Sequence, residues 1–297
     1  MKAFVFGEVL FDVYPQESVI GGAPFNFAAH LAQCGIPVSL ISAVGKDNLA
    51  DTVMQNLKHF SVGHDFCSVV AQPTGVCQVE ITNGNPSYDL KPDMAYDNIP
   101  VTDAMIAEIA ATHEKLLYFG TLALRDERSK ASLCTLLERC SWNEVLFDIN
   151  IRQKYYSKET VELGLSHCTV LKFSREEAKV FTELGISKTD YLLPLCKILT
   201  HRYPNIHTVL LTLDADGAVV YDAKNDHYTP SKVPNCNVVS TVGAGDSFFA
   251  GYTASRLKQN DIKTAVDNAV SLSSYVVEHL EAVPEYRASL DTIFKNA

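Results

Sequence analysis

A glycine-rich segment late in the chain, Thr241-Val242-Gly243-Ala244-Gly245-Asp246, combines an anion-binding turn with an acid. Gly243 and Gly245 lack a Cβ and tolerate positive φ, so backbone N–H groups at the start of the following helix can converge on a phosphate. Bound phosphate repels a carboxylate, so Asp246 makes sense there if it takes a proton from a hydroxyl that attacks the phosphate. Asp is also a preferred N-cap residue, and these residues alone leave a capping role equally open.

A second polar cluster lies near the N-terminus, around a pair of glycines. Gly21 and Gly22 let the backbone approach a ligand closely, and Asp12 and Asn26 are short polar residues flanked by apolar ones. Each side chain offers hydrogen bonds at a fixed position, as a sugar hydroxyl requires. The alternative is that Asn26 caps its helix and Asp12 fixes a turn, and both roles can coexist.

Three further clusters are weak when each is taken alone. The segment 148–152 follows a predicted strand, where ligand groups in open α/β sheets gather, and alternation places residues 148, 150 and 152 on one side. Within residues 172–177, Ser174 and Glu177 have the spacing of a capping box. The segment 212–217 is a strand end followed by a turn.

The elements that must position these residues alternate between short apolar runs and helical patterns. This order predicts a mostly parallel sheet covered by helices. The predicted strands are residues 3–6, 38–43, 116–119, 145–149, 170–173, 209–213 and 218–221. The predicted helices are 26–34, with Gly35 at C′, and about 48–60, 102–113, 127–140, 175–184, 190–202, 247–258 and 262–280.

Residues 75–100 depart from this alternation. Asn83-Gly84 stands between two extended runs, which is a strong hairpin signal. A hairpin beside the main sheet predicts a small flap that closes over substrate and excludes water. The alternative is an edge hairpin that only extends the sheet.

Composition limits the partners. With 297 residues, 47% of them hydrophobic, the chain can bury a large core, and its net charge of -10 argues against nucleic acid or an anionic membrane as the main partner.

The eight cysteines contain no Cys-x-x-Cys pair, so neither a zinc site nor a disulfide framework is indicated. The uncharged stretch 18–45 contains four glycines and two prolines and is interpreted as buried interior rather than a membrane span. No signal-peptide pattern is visible, and we expect a cytoplasmic protein.

Together and in this order, the motifs resemble the ribokinase-like sugar kinases, also called the phosphofructokinase-B family, along nearly the whole chain. Gly21-Gly22-Ala23-Pro24 with Asn26, and then Gly45-Lys46-Asp47, is similar to the N-terminal signature of the family. Residues 241–246 are similar to its C-terminal signature. The resemblance implies one three-layer α/β domain over residues 1–297, with helices on both faces of the sheet and β-lid segments at about 10–20 and 75–100.

The resemblance also implies ATP and Mg²⁺ as cosubstrates and phosphorylation of a primary alcohol. Asp246 is then the general base, beside an anion hole made by Gly243, Ala244 and Gly245. The remaining residues implied by the resemblance contact the sugar (Asp12, Gly21, Gly22, Asn26, Asn150 and Arg152), the nucleotide (Lys172, Thr212, Asp214, Gly217 and Thr241) or the metal and its waters (Glu177).

Three residues depart from the family pattern. Ser174 stands where Asn is usual, and Ser240 replaces an Asp that helps to hold a monovalent cation in relatives, so potassium activation is not implied here. Asp214 stands where Gly is usual. Because a buried unpaired carboxylate is unfavourable, we expect Asp214 to face solvent or a partner.

The expected substrate is fructose, since Gly21-Gly22-Ala23-Pro24 together with Asn150-Ile151-Arg152 looks most like fructokinases. Arg152 only donates hydrogen bonds and must face sugar oxygens, a carboxylate or phosphate, which makes a 2-keto-3-deoxygluconate kinase the alternative. A sugar-binding regulator without catalysis is the alternative from another class, and the retained Asp246 speaks against it. Lid hairpins in the family can pair between subunits, so a homodimer is a further hypothesis.

Overall fold

Short apolar strands form a nine-stranded central sheet in the computed structural model, which describes residues 1–14, 17–82 and 85–295. Numbered along the whole chain, its strands are β1 (Lys2–Phe6), β4 (Val38–Val44), β5 (Cys67–Val69), β8 (Lys115–Gly120), β9 (Glu144–Asp148), β10 (Val170–Ser174), β11 (Thr208–Thr212), β12 (Ala218–Asp222) and β13 (His227–Ser231). The spatial order is β13-β12-β11-β10-β9-β8-β1-β4-β5. Only β12 and β13 run antiparallel to their neighbours, so the predicted mostly parallel sheet is confirmed.

Helices cover both faces of this sheet. One face carries α1 (Ala23–Gln33), α2 (Asn48–His59), α8 (Ala244–Leu257), α9 (Ile262–Val277) and α10 (Leu290–Lys295). The other carries α3 (Asp103–Ala111), α4 (Glu127–Arg139), α5 (Lys158–His167), α6 (Ala178–Glu183) and α7 (Leu192–Arg202). The pleat of β1 feeds both cores, because Phe4 and Phe6 enter one of them while Ala3 and Val5 enter the other. The result is a three-layer fold.

A smaller sheet stands beside the main one. Its strands are β2 (Leu10–Val13), β3 (Ser18–Gly21), β6 (Gly75–Thr82) and β7 (Asn85–Leu90), in the order β3-β2-β6-β7. The antiparallel pairing of β6 with β7 confirms the predicted hairpin, whose Asn83-Gly84 turn lies outside the described residues. The alternative of an edge hairpin on the main sheet is wrong, since both strands belong to this separate sheet.

The helix starts differ from the predicted ones at two informative places. Helix α1 begins at Ala23, three residues early, because Gly22 turns the chain at φ 104 and Pro24 suits a first helical turn. Helix α8 begins at Ala244, directly after Gly243 at φ 82.

Several short elements were not predicted: β5, β13, α5 and α10. Strand β13 contains Pro230, which a sheet tolerates at its edge and which removes the usual strand signal. Within the three described ranges, no helix is long and apolar enough to span a bilayer.

Candidate active site

Asp246 lies in the first turn of α8 and is held there by a side chain from a distant part of the sequence. The N-cap of α8 is Gly243, which makes no side-chain capping bond, so the interpretation of Asp246 as a capping residue is wrong. Its carboxylate Oδ2 instead accepts a hydrogen bond of 2.8 Å from Asn26 Nδ2. Only 7% of Asp246 is exposed. The structure thus brings the two sequence signatures into direct contact.

The glycine turn before Asp246 is shaped by close packing. A Cβ on Gly243 would lie 2.4 Å from the carbonyl oxygen of Ala282, so a larger residue does not fit. The first intrahelical bond of α8 runs from Ser247 N–H to Gly243 O at 2.9 Å. The N–H groups of Gly245 and Asp246 precede that bond and point out of the helix end, where they can bind an anion.

Asn26 belongs to the first turn of α1, a helix whose eleven residues are all buried. The N-cap of α1 is Gly22, so the proposed capping role of Asn26 is also wrong. With Nδ2 directed at Asp246, the buried Oδ1 has no hydrogen-bond partner among the described residues. The Asn26 side chain therefore bonds to the Asp246 carboxylate and does not cap its own helix.

Asp12 lies in β2 of the small sheet and not in a turn, which corrects the turn-fixing alternative. A Cβ on Gly21 would be 3.2 Å from Asp12 Oδ2, so Gly21 leaves room for this carboxylate. Burial raises the pKa of Asp12, while the positive charge of Arg152 lowers it. Asp12, Gly21 and Gly22 thus share one region with Arg152.

The segment after β9 does not continue as a strand. Because β9 ends at Asp148 and Asn150 has φ 36, the predicted alternation of residues 148, 150 and 152 is wrong. The Arg152 side chain is exposed, and its guanidinium makes no hydrogen bond or ion pair with the residues described, although the Arg152 carbonyl accepts Tyr155 N–H at 3.0 Å. Its charge nevertheless acts on the carboxyls of Glu8, Asp12 and Asp246, lowering the pKa of each against the effect of burial. The guanidinium is therefore close enough to these three carboxyls for its charge to act on them.

Lys172 and Asp148 form a buried ion pair beside the glycine turn. Lys172 Nζ donates to both oxygens of Asp148, at 2.9 and 3.0 Å. A Cβ on Gly245 would lie 3.3 Å from the same Nζ. Burial lowers the pKa of Lys172, but the charges of Asp148 and Glu177 outweigh it and raise that pKa. The Lys172 ammonium thus stays charged next to the N-terminus of α8.

The expected nucleotide-binding residues lie around the end of β11. Thr212 pairs with Ser174 of β10, and Gly217 has φ 94 with no room for a Cβ, which would fall 2.0 Å from Ser231 O. Asp214 is exposed, as predicted for a carboxylate where the family usually has Gly. Thr241 is exposed as well, before the glycine turn.

Glu177 and Ser174 make the reciprocal hydrogen bonds of a capping box, but the prediction that Ser174 caps a helix is wrong, because α6 begins at Ala178 with Glu177 as its N-cap. Glu177 Oε2 accepts Ser174 N–H at 2.8 Å, and Glu177 N–H donates to Ser174 Oγ at 3.3 Å. Its Oε1 accepts Ile151 N–H at 2.8 Å, which ties the segment bearing Arg152 to the end of β10. Each Glu177 oxygen keeps a lone pair that can accept from a further donor such as water. Within the described ranges, no three His, Cys, Asp or Glu side chains are grouped so that they could hold a metal ion.

Glu8 is a member of this site that sequence reasoning did not assign. It directly follows β1 and Gly7, and 4% of it is exposed. Burial raises the pKa of Glu8 to about 7, although the backbone amides of Glu8 and Ala23 and the charge of Arg152 lower it. The sequence signal for Glu8 is its position, because it is an acidic residue between the buried strand β1 and the apolar strand β2.

Burial is also the main influence on Asp246. It raises the pKa of that carboxyl, while the hydrogen bond from Asn26 and the charges of Lys172 and Arg152 lower it. The carboxylate is thereby made more basic yet stays anchored. Such an acid, next to an anion-binding helix end, can accept a proton from a hydroxyl that attacks a phosphate.

Known proteins resemble this chain in sequence and in fold. A fructokinase of Rhizobium leguminosarum bv. trifolii is 27% identical over 273 residues, which cover 87% of this chain and 80% of that protein. An adenosine kinase of Schizosaccharomyces pombe is 27% identical over 270 residues, covering 86% and 77%. Among solved structures, a fructokinase of Vibrio cholerae O395 with bound fructose, ADP and calcium has a TM-score of 0.82 at 20% identity, over 99% of this chain and 98% of that one.

The structural likeness confirms the ribokinase-like three-layer fold. The sequence of residues 3–286 matches the family described as pfkB family carbohydrate kinase. This match covers both glycine signatures and every candidate site residue named above. The chain therefore belongs to the pfkB family of carbohydrate kinases and is an ATP-dependent sugar phosphotransferase.

Proposed function

We propose that this kinase transfers the γ-phosphate of ATP to a primary hydroxyl of a ketohexose, with fructose as the preferred substrate and Asp246 as the general base. The observation that carries the proposal is the buried Asp246 carboxylate, bonded at 2.8 Å to Asn26 and placed at the glycine-rich start of α8. A base and an anion site adjoin there, as phosphoryl transfer to an alcohol requires.

The proposed step needs one proton acceptor and one anion site. As the sugar oxygen bonds to the γ-phosphorus, the bond from that phosphorus to the leaving oxygen of ADP breaks and its electron pair departs with ADP. The hydroxyl proton passes to Asp246 Oδ1, because Oδ2 is occupied by Asn26. The free N–H groups at the start of α8, in the anion hole formed by the Gly243-Ala244-Gly245 turn, stabilise the transferring phosphate together with Lys172.

The other proposed contacts follow from where the residues lie. Asp12, Gly21, Gly22, Asn150 and Arg152 surround the sugar, while Thr212, Asp214, Gly217 and Thr241 border the nucleotide. Glu177 holds a water of the magnesium ion. When bound, that ion neutralises charge on the nucleotide phosphates.

The base assignment is tested by Asp246→Asn, which keeps the size of the side chain. We expect kcat to fall about 10²- to 10⁴-fold, the usual range for loss of a general base. Asp190→Asn, at an exposed aspartate, is the matched control and leaves kcat unchanged. ADP release is measured with a coupled assay, and thermal unfolding verifies that the variant is folded. An unchanged kcat in Asp246→Asn refutes the assignment.

The charges near Asp246 support a neutral sugar over a sugar acid. The charge of Arg152 already acts on the three carboxyls of Glu8, Asp12 and Asp246, so a substrate carboxylate would add negative charge to an acidic region. The observation that favours the alternative, 2-keto-3-deoxygluconate, is that the Arg152 guanidinium pairs with none of the described residues. ADP release with fructose, 2-keto-3-deoxygluconate, ribose and adenosine decides between them, and a higher kcat/KM for the sugar acid overturns the fructose assignment.

We also propose that residues 1–297 form a single domain that dimerises through its β lid. Strands β3 and β7 are the edges of the small sheet and are the surfaces on which a second copy can pair. Light scattering tests this, and a monomer at working concentration refutes it.

All eight cysteines are free, which supports a reducing compartment such as the cytoplasm.

A further inference from the structure

We propose that His30 and Gln33 are positioning residues for phosphoryl transfer, which hold a backbone strap, residues 281–286, against the glycine turn of the anion hole. The inference rests on the proposed anion hole and adds two residues to it. Neither side chain reaches a ligand itself, because both are buried. Their effect on the reaction therefore passes through the strap that they bind.

Helix α1 carries three polar side chains on one face. Asn26, His30 and Gln33 are the polar residues of this helix, and their spacing of four and three places them on the same side. Each of the three is at most 4% exposed. Because burying a polar group is unfavourable unless it is hydrogen-bonded, such a stripe implies specific partners. Asn26 bonds to Asp246, and the partners of the other two lie in the strap.

His30 binds the strap through both nitrogens of its ring. Nε2 lies 3.0 Å from Ala282 O, and Nδ1 lies 2.9 Å from the hydroxyl oxygen of Tyr286. Since a carbonyl only accepts hydrogen bonds, Nε2 carries the proton and Nδ1 accepts from the Tyr286 hydroxyl. Burial lowers the pKa of His30 to about 4, which keeps the ring in this neutral form. One side chain thus fixes two points of the strap.

Gln33 holds the same strap through both atoms of its amide. Its Nε2 donates to Pro284 O at 3.0 Å, and its Oε1 accepts Tyr286 N–H at 2.9 Å. Among the described residues, the backbone groups of residues 280–285 make no hydrogen bond to other backbone groups. The strap is therefore held in place by side chains of α1 and not by a helix or a sheet.

Packing does not enclose the strap on every side. Residues 281–285 border a cavity of about 390 Å³, whose wall also includes Phe25 and Phe60. Glu285 pairs with His59 there, but both of these side chains are more than half exposed. Because exposed ion pairs contribute little, the bonds from α1 are the contacts that determine where the strap lies.

The strap in turn packs directly on the anion hole. A Cβ on Gly243 would lie 2.4 Å from Ala282 O, 2.9 Å from its Cα and 3.0 Å from its carbonyl carbon. The Ala282 oxygen that accepts from His30 is thus the same atom that lies against this glycine. Gly243 is the N-cap of α8, whose first N–H groups can bind an anion. A shift of Ala282 therefore displaces those N–H groups relative to the transferring phosphate.

The test removes the bond from His30 to the strap. His30→Leu has no hydrogen-bonding group, whereas His30→Gln keeps an N–H donor for Ala282 O. We expect His30→Leu to lower kcat about 10- to 100-fold, since small displacements of groups that stabilise the transition state have effects of this order. KM for the sugar stays unchanged, and His30→Gln recovers most of the lost kcat. His201→Leu, at an exposed histidine in α7, is the matched control and keeps full activity.

A probe of the anion hole distinguishes positioning from general destabilisation. Aluminium fluoride, added with Mg²⁺, ADP and the best sugar substrate, mimics the transferring phosphoryl group, so its affinity follows the stabilisation of the transition state. Its inhibition constant should rise in His30→Leu by the factor by which kcat falls. The acidic limb of the kcat profile should stay in place, because the bond from Asn26 to Asp246 is intact. Asn26→Ala should move that limb to higher pH, since this bond lowers the pKa of Asp246.

Gln33→Met tests the strap without changing His30. It removes both bonds of the Gln33 amide at similar size, and it should weaken kcat and the affinity for aluminium fluoride together. Thermal unfolding shows which variants are folded, and Gln33→Met decides if His30→Leu is not. The inference is overturned by full kcat in either folded variant, by a loss of kcat with unchanged affinity for aluminium fluoride, or by unfolding of both.

Failure of the proposed function gives different results. If aluminium fluoride does not inhibit the natural protein, the proposed anion hole is refuted. Full kcat in Asp246→Asn refutes the proposed base. Neither result depends on a substitution in α1, so each is distinguishable from failure of the inference about His30 and Gln33.

Discussion

Replacing Glu8 by Gln removes a buried titrating carboxyl and keeps the size of the side chain. The pKa of Glu8 is raised by burial from 4.5 to about 7 in the folded chain. Between these two values the folded state binds more protons than the unfolded state, so the stability of the natural protein falls as pH rises through this window. Glu8→Gln lacks this loss.

The magnitude follows from the width of the window. Each pH unit corresponds to about 1.4 kcal/mol, so ionising Glu8 in the fold costs about 3 kcal/mol once the pH is above 7. Part of this loss is already present at pH 5. The free energy of unfolding of Glu8→Gln, minus that of the natural protein, should therefore grow by about 2.5 kcal/mol between pH 5 and pH 8.

Urea unfolding at both pH values measures this difference. The single tryptophan, Trp142, packs edge-on against Phe4 with ring centroids 5.9 Å apart and reports the loss of the core. Glu108→Gln, at an exposed glutamate in α3, is the matched control, for which the difference should stay constant. His30 is buried and its pKa is lowered to about 4, so it stays neutral over this range in every variant. A constant difference for Glu8→Gln as well would refute the burial argument.

Two further substitutions test the packing around Asp246. Gly243→Ala places a Cβ 2.4 Å from Ala282 O in a residue whose φ is positive. We therefore expect a clear drop in melting temperature and a loss of ADP release. A variant that is active and as stable as the natural protein contradicts the close packing of this turn. Lys172→Met leaves the Asp148 carboxylate buried and unpaired, so urea unfolding should show a loss of about 3 to 5 kcal/mol. Adding Asp148→Asn to Lys172→Met should recover part of that stability, and no recovery would show that the charge of Asp148 is not the cause.

The order of strands and helices was predictable because strand and helix periodicity are local properties of the sequence. Burial on both faces turns the parallel strands into short apolar runs, and the glycine turns mark the places where α1 and α8 begin. The short strands β5 and β13 lack that signal, since their stability comes from pairing with a neighbour rather than from their own composition.

The partners inside the site were not predictable, because they join residues far apart in the sequence. Asn26 and Asp246 are separated by 220 positions, and Lys172 and Asp148 by 24. Local pattern left capping open for both Asn26 and Asp246, since their types suit a helix end. In the fold, Gly22 and Gly243 occupy the N-cap positions of α1 and α8. The side chains of Asn26 and Asp246 are therefore available to bond to each other.

The acidic side chains near Asp246 outnumber the unpaired cations there, among the residues described. Lys172 is committed to Asp148, so Arg152 is the cation that stays unpaired, among the residues described, in the region of Glu8, Asp12 and Asp246. ATP adds further negative charge beside these acids. Its phosphates can be accommodated by the N–H groups of α8 and by a metal ion that accompanies the nucleotide, but a charged sugar brings no such counterion. This balance of charge is the electrostatic support for the proposal that the substrate is a neutral sugar.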